Sequence, residues 1–508
     1  MMRMRFKEEL NSTRRGVAFL FVTAALFAAM TLAALTGCTI NPATGRTALT
    51  GVTTTADESR IGREQHPQII QAFGGEYDDP EITAYVRRVG QALARDTERA
   101  DITYTFTVLD TPIVNALATP GGYIYVTRGL LALADNEAEL AGVLGHELGH
   151  VTARHHAQQQ SRQTLASIGM VGAAVAGSIV GVPPGLMQNT QMTALGFLRS
   201  FSREQEFESD QLGARYMSKA GYDPSAMATF LRKLQAQSDL ESSKLGEATR
   251  AERFDFLATH PNTADRIDRA IQTANLSPVA NPTIGRDSYL NVIDGMLYGS
   301  PPSEGFIRGR VFAHPILRIR FEVPPEYQLF DTRKAIYAQG PGNALIVFDP
   351  EPNPAKFKQL TMAQYVSALT KIELSEVNAQ RVNGLEAATA AMKAQSRNGA
   401  VELRLGAVRV DATHIYRFRF ITPASLLAQL GGANQRTFRS FERLTAAQAA
   451  ALKPLRLRVV TVKAGDTVAR LAKRMAIDDY AMDRFRVLNG LPPNVQVVVT
   501  KRVKLVVE

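Results

Sequence analysis

The sequence predicts a multi-domain α+β chain: a mostly helical domain with a small sheet, an α+β middle domain, and a small C-terminal module of strand–helix–helix–strand (βααβ) order. Three observations predict it. Between residues 135 and 220 two stretches read as helices, the first with an apolar stripe at helical spacing and two histidines, the second with a run of carboxylates. Behind a Pro301-Pro302 break, residues 300–450 alternate strand-like and helix-like runs. The tail, 456–508, has β-branched runs at both ends and two short helical patterns between them. With 508 residues the chain is long enough for two or three cores.

The amino terminus sets the compartment. Arg3, Arg5, Lys7, Arg14 and Arg15 precede an uncharged apolar stretch, Gly16–Ala34, which ends in Leu35-Thr-Gly-Cys38. This reads as a lipoprotein signal peptide over 1–37, with Cys38 as the lipidation site. An uncleaved anchor is the alternative, since the stretch approaches spanning length. Cys38 is the single cysteine, which excludes an intrachain disulfide. Either reading places the rest in the cell envelope. By resemblance to lipoprotein sorting signals, Thr39 stands where an aspartate would mark inner-membrane retention, which implies the outer membrane facing the periplasm. Residues 38–58 are polar and read as a tether.

The domain over 59–285 carries the chemistry. Asp135-Asn-Glu-Ala-Glu139 suits a helix start, where free N–H groups and the macrodipole favour anions. Leu140, Leu144, Leu148 and Val151 form an apolar stripe well away from His146 and His150 on the wheel. His146-Glu-Leu-Gly-His150 puts two imidazoles one turn apart on one face, within reach of one Zn²⁺. Glu147, beside them, is placed to take a proton from a metal-activated water. Such a site needs a third protein ligand. Ser202–Gly213 reads as a helix bearing three candidates, Glu204, Glu206 and Glu208. Glu206 and Asp210 are four apart on one face, so the first can bind metal while the second hydrogen-bonds a ligand histidine. Spacing alone leaves the choice of glutamate open.

Pro120-Gly-Gly122 marks a turn into a strand. Tyr123, Ile124, Tyr125 and Val126 are the candidate edge strand along which an extended substrate is held. His155 and His156 are read as pointing away from the His146–His150 face. His66, His314 and His414 show no partner pattern. No charge occurs from Gln163 to Leu198, and Leu165–Val182 reads as a membrane-dipping hairpin or, better suited to its small residues, a lid over the cleft.

His146-Glu-x-x-His150, followed by Arg203-x-x-Glu206-x-x-x-Asp210, resembles the zinc metallopeptidase family of the CAAX prenyl endopeptidases and HtpX. Asn115-Ala-x-Ala-x-Pro-Gly-Gly-Tyr-Ile-Tyr125, Ala220-Gly-Tyr-Asp-Pro224 and Thr259-His260-Pro261 resemble its soluble periplasmic lipoprotein branch, that of the beta-barrel assembly-enhancing proteases. The likeness covers roughly residues 50–275. It implies a zincin-type (gluzincin) fold, one Zn²⁺ per chain, Glu206 as third ligand and Asp210 as support for a zinc histidine. It also implies that His260 lies near the metal, as a fourth ligand or an oxyanion stabiliser. The implied substrates are unfolded or misassembled envelope proteins.

The chain has a net charge of +10, and the tail, with eleven basic and five acidic side chains, holds most of the mature excess. No nucleic-acid motif accompanies it, and an envelope location excludes that partner. An anionic envelope polymer or lipid headgroup fits better. In the tail, Val460–Thr467 predicts strand, turn and helix cap. Val468, Leu471, Ala472 and Met475 follow at helical spacing, then a helix near Met482–Val487 and a strand over Lys501–Val507. This resembles the lysin motif (LysM), with the Pro-Gly turn before its last strand replaced by Val495-Gln-Val-Val-Val499. It implies peptidoglycan as a partner, or a purely structural module. The middle domain shows strands at Leu317–Val323, Ala344–Phe348, Val401–Val410 and Thr413–Ile421, helices at Thr361–Leu374, Ala424–Leu430 and Gln435–Leu444, and no catalytic signature. The expected activity is that of a zinc metalloendopeptidase in envelope protein quality control. The alternatives are a chaperone-like or latent binding protein with a closed metal site, and a metal-dependent peptidoglycan-processing enzyme.

Overall fold

Residues 38–51, 53–164, 200–245, 256–261, 264–276, 278–331, 335–369, 374–396, 399–477 and 480–508 are described by a computed structural model of the chain. The expected signal peptide and the expected lid or hairpin at Leu165–Val182 lie outside them. Among the described residues no helix is long and apolar enough to cross a membrane. The secondary structure is mixed α and β, and it falls into two compact units divided after Ser238 and after Val292, with 239–245 counted in the second.

The first unit begins with a hairpin, β1 (Cys38–Ile40) and β2 (Thr47–Leu49), in the stretch expected to be a plain tether. The buried Asn41 between them donates from Nδ2 to the Ala153 carbonyl at 3.3 Å. Helix α1 (Thr55–Ala72) starts with a capping box between Thr54 and Asp57, and α2 (Pro80–Ala94) with an Asp79 cap and proline at its first position. A three-stranded sheet of β3 (Thr105–Leu109), β4 (Ala116–Thr119) and β5 (Tyr123–Thr127) has the order β3-β5-β4. Strand β5 is therefore central, parallel to β3 and antiparallel to β4. Both its edges are paired, so Tyr123, Ile124, Tyr125 and Val126 cannot be an edge strand for substrate. Tyr125 is fully buried, its hydroxyl 2.8 Å from His66 Nδ1.

Helices α3 (Arg128–Leu133), α4 (Glu137–Thr152), α5 (Arg203–Lys219), α6 (Ala226–Leu245), α7 (Phe256–Thr259), α8 (Ala264–Leu276) and α9 (Arg286–Ile293) complete this part of the chain, with α6 and α9 running across the division points. A further helical stretch, 155–164, follows α4. Every residue of α4 is buried, the expected apolar stripe and the opposite face alike. Its first residue, Glu137, accepts from Arg88 and from the Tyr222 hydroxyl, which pins the helix start.

The second unit is dominated by an antiparallel seven-stranded sheet: β10 (Gln328–Asp331), β11 (Ile336–Gln339), β12 (Leu345–Pro350), β16 (His414–Pro423), β15 (Gly399–Asp411), β14 (Leu385–Ser396) and β13 (Ser375–Val382), in that spatial order. A second sheet joins β17 (Glu442–Arg443), β9 (Ile319–Glu322), β8 (Val311–His314) and β7 (Phe306–Arg308). Phe312, Phe321, Phe348, Phe418, Phe438 and Phe441 fill the core. The expected helices at 424–430 and 435–444 are one, α11 (Leu427–Ser440). The β13–β14 hairpin was missed in the sequence. Its turn, Asn383-Gly384, has positive φ at both residues, the geometry that Asn-Gly hairpins favour. Strand β14 is alanine-rich because α10 (Met362–Ala368) packs closely on Ala388 and Ala390.

The tail has the expected order: β18 (Leu455–Thr461), α13 (Val468–Ala472), α14 (Ala481–Leu488) and β19 (Arg502–Val507), with a short helix, α12 (Ala446–Ala451), before it. Thr467 caps α13 as its position implies. Strands β18 and β19 pair antiparallel, and β18 also takes on β6 (Leu297–Tyr298), from ahead of the expected domain boundary.

Candidate metal centre

The site is built where α4 and α5 touch. Helix α4 is capped by Asn136, and α5 by a Ser202–Gln205 capping box. Each histidine of the motif follows a glycine, and those glycines let the two backbones meet. A Cβ on Gly149 would lie 2.9 Å from Ser209 Cα, and one on Gly213 would lie 2.8 Å from the His146 backbone nitrogen. Real Cβ atoms do not come this close, so larger residues there would push α5 and its carboxylates off the histidines.

Four donors converge there, three from the two helices and the fourth, His260, from just after α7. His146, His150, Glu206 and His260 place one ligand atom each within 4.8 Å of one another, and all four side chains are buried. The two Nε2 atoms of His146 and His150 stand 3.0 Å apart. His260 Nδ1 is 3.2 Å from His146 Nε2 and 3.1 Å from Glu206 Oε1. Glu206 Oε1 is 3.5 Å from His150 Nε2. A tetrahedral ion with bonds of about 2.1 Å spaces its donors about 3.4 Å apart, which matches this set.

The outer hydrogen bonds decide what the cluster can hold. Asp210 Oδ1 is 2.8 Å from His146 Nδ1 and accepts from it, so the neutral imidazole has its Nε2 lone pair towards the cluster. Asp210 also takes both Nε and Nη2 of Arg266, each at 2.8 Å. Arg266 Nη1 lies 2.7 Å from Glu206 Oε2. Burial alone would push the Asp210 and Glu206 carboxyls up. Arg266, with His146 for Asp210 and His260 for Glu206, overcomes it, so both are held below their ordinary values. Burial, then the neighbouring imidazoles, lowers His150 well below its usual value and keeps it neutral. Lone pairs facing each other across about 3 Å, beside a carboxylate, fit a divalent cation and repel without one.

Glu147 lies alongside, fully buried. Among the described residues neither of its oxygens accepts a hydrogen bond. His260 Nε2 is 3.5 Å from its Oε1. Burial raises the Glu147 carboxyl above its usual range, with His260 and His146 offsetting part of the effect. A raised, unengaged carboxylate beside a cation site is equipped to take a proton.

The structure thus brings His146, Glu147, His150, Glu206, Asp210 and His260 together as the sequence implied, and puts Tyr123–Val126 in mid-sheet. Glu204 is exposed. His155 is a correction: it does not point away but is fully buried, its Nδ1 2.8 Å from His150 Nδ1 and its Nε2 3.0 Å from Glu208 Oε2. His314 and His414 also have partners, the Ser303 carbonyl and Asp411. The sequence reading passed over Arg266, Phe201 and Phe256. Phe201 stacks on the His150 ring at 3.9 Å and Phe256 on His260 at 4.6 Å, which lines the cluster with apolar surface.

Residues 80–274 match the profile of Peptidase family M48. The chain is 31% identical over 248 residues to the beta-barrel assembly-enhancing protease of Yersinia pestis, covering 47% of this chain and 48% of that one. It is 29% identical over 212 residues to the mitochondrial metalloendopeptidase OMA1 of Schizosaccharomyces pombe (41% and 59%), and 34% identical over 189 residues to the OMA1 of Arabidopsis thaliana (37% and 35%). The chain spans about half the length of the Yersinia pestis relative, and the family match over 80–274 contains the whole donor cluster.

Proposed function

We propose, from the match of residues 80–274 to Peptidase family M48, that the whole protein is a zinc metalloendopeptidase of the bacterial cell envelope that removes misfolded or misassembled proteins. The observation that carries it is the buried His146–His150–Glu206–His260 donor set with the unengaged Glu147 carboxylate beside it. In this reading His146, His150 and Glu206 hold the ion. Zinc bound there supplies a Lewis acid that polarises the scissile carbonyl and activates water near neutral pH. Glu147 accepts the water's proton on a carboxylate oxygen and passes it to the leaving nitrogen. Asp210 keeps the His146 imidazole aimed. The lipobox-like Leu35–Cys38 supports tethering through Cys38 at the outer membrane, and the βααβ tail supports a lysin-motif-like contact with peptidoglycan.

His260 favours a second reading. It sits inside the donor set rather than beside it, so with an ion bound it would fill the position that water needs. A protease latent until His260 moves away accounts for that arrangement. A casein-cleavage assay of the full chain tests both readings. Cleavage that stops with a chelator and returns with zinc is the expected result, and cleavage indifferent to both overturns the zinc mechanism. A clear rise in His260→Ala marks latency, and no rise marks a site that is already open.

A further inference from the structure

We infer that His155, backed by Glu208, is a positioning residue for His150: it fixes which ring nitrogen of His150 faces the metal and how the ring is aimed. The inference rests on the zinc reading above. His150 Nε2 faces the donor set, 3.0 Å from His146 Nε2 and 3.5 Å from Glu206 Oε1. Its other nitrogen, Nδ1, is 2.8 Å from Nδ1 of His155. Two ring nitrogens can bond only if one of them carries a proton. The far side of His155 settles which. Its Nε2 is 3.0 Å from Glu208 Oε2, and a carboxylate only accepts. A neutral His155 therefore has its proton on Nε2 and a lone pair on Nδ1, so His150 Nδ1 donates. His150 Nε2 is left as a lone pair, the state a metal ligand requires.

The packing holds the ring as firmly as the hydrogen bond does. The His150 ring stacks on Phe201 on one side and meets the His155 ring edge-on, with centroids 4.9 Å apart. His155 reaches this place because α4 has ended: Ala153 is the C-cap, and Arg154 turns the chain with φ of +57°. Arg154 is held in that turn by Glu58, its Nε 2.9 Å from Oε1. Helix α5 thus serves both histidines. It offers Glu206 to the donor set, braces His146 directly through Asp210, and braces His150 through Glu208 and His155.

The test is the apparent zinc dissociation constant of the full chain, measured by competition with a chromogenic chelator, together with the melting temperature of the metal-free form. His155→Ala is expected to bind zinc about 10- to 100-fold more weakly. Glu208→Gln, which keeps the shape but weakens the acceptor, is expected to lose roughly three- to tenfold, with little change in metal-free melting. Equal zinc affinity in both variants and the unaltered chain overturns the inference. If His155→Ala melts early without metal, Glu208→Gln alone decides, on the same two outcomes. An unaltered chain that binds no zinc instead brings down the zinc reading, and this inference with it.

Discussion

Glu147→Gln will keep its zinc and lose peptide hydrolysis by a factor of about 10²–10⁴, the span over which a positioned general base acts. Glu147 is not among the four converging donors, and its oxygens accept no hydrogen bond from any described residue. The amide therefore fits the same space without disturbing the ligands. What changes is proton affinity. Burial raises the carboxyl above its ordinary value, which makes the carboxylate a stronger base than a solvated glutamate. An amide has no such basicity. Zinc content by metal analysis and casein turnover, measured on the same preparation, check the prediction together. Retained turnover would remove Glu147 from the mechanism. Lost zinc would mean that Glu147 holds the metal.

Arg266→Met will destabilise the metal-free first unit by about 3–5 kcal/mol, because it strands two buried carboxylates. Arg266 is 1% exposed. It bonds Asp210 through two nitrogens at 2.8 Å and lies 2.7 Å from Glu206. Methionine fills much of the same volume, so the loss reports charge rather than a cavity. For a unit of this size the melting temperature should fall by roughly 10 °C. Zinc should return part of the loss, since a dication also neutralises Glu206. Scanning calorimetry with and without zinc checks both statements. An unchanged metal-free melting temperature would mean that Arg266 is not the counter-charge of the site.

Much of the site was legible in the sequence. His146 and His150 share a helical face by spacing alone, and the helix that carries them has its capping asparagine and acidic start in plain view. Glu206 was one of three glutamates in a single run. The fold separates them by direction: Glu204 into solvent, Glu206 into the donor set, Glu208 onto His155. The place of His155 could not be read because the left-handed Arg154, just past the helix end, swings the chain back under His150. Arg266 was hidden in a charged amphipathic helix whose pattern is that of a solvated surface. Strand order left no trace in the composition of Tyr123–Thr127, so its central position could not be read. In the second unit, alanine's weak strand preference concealed β14, while the Asn383-Gly384 turn was a readable hairpin signal.

Zinc K-edge X-ray absorption on the purified full-length chain, combined with metal content, tests the central claim most directly. The account predicts one zinc per chain, with only nitrogen and oxygen neighbours at about 2.0–2.1 Å and the outer-shell scattering of imidazole rings. Absence of stoichiometric zinc, or a sulfur neighbour at about 2.3 Å, would contradict it, since none of the converging side chains carries sulfur.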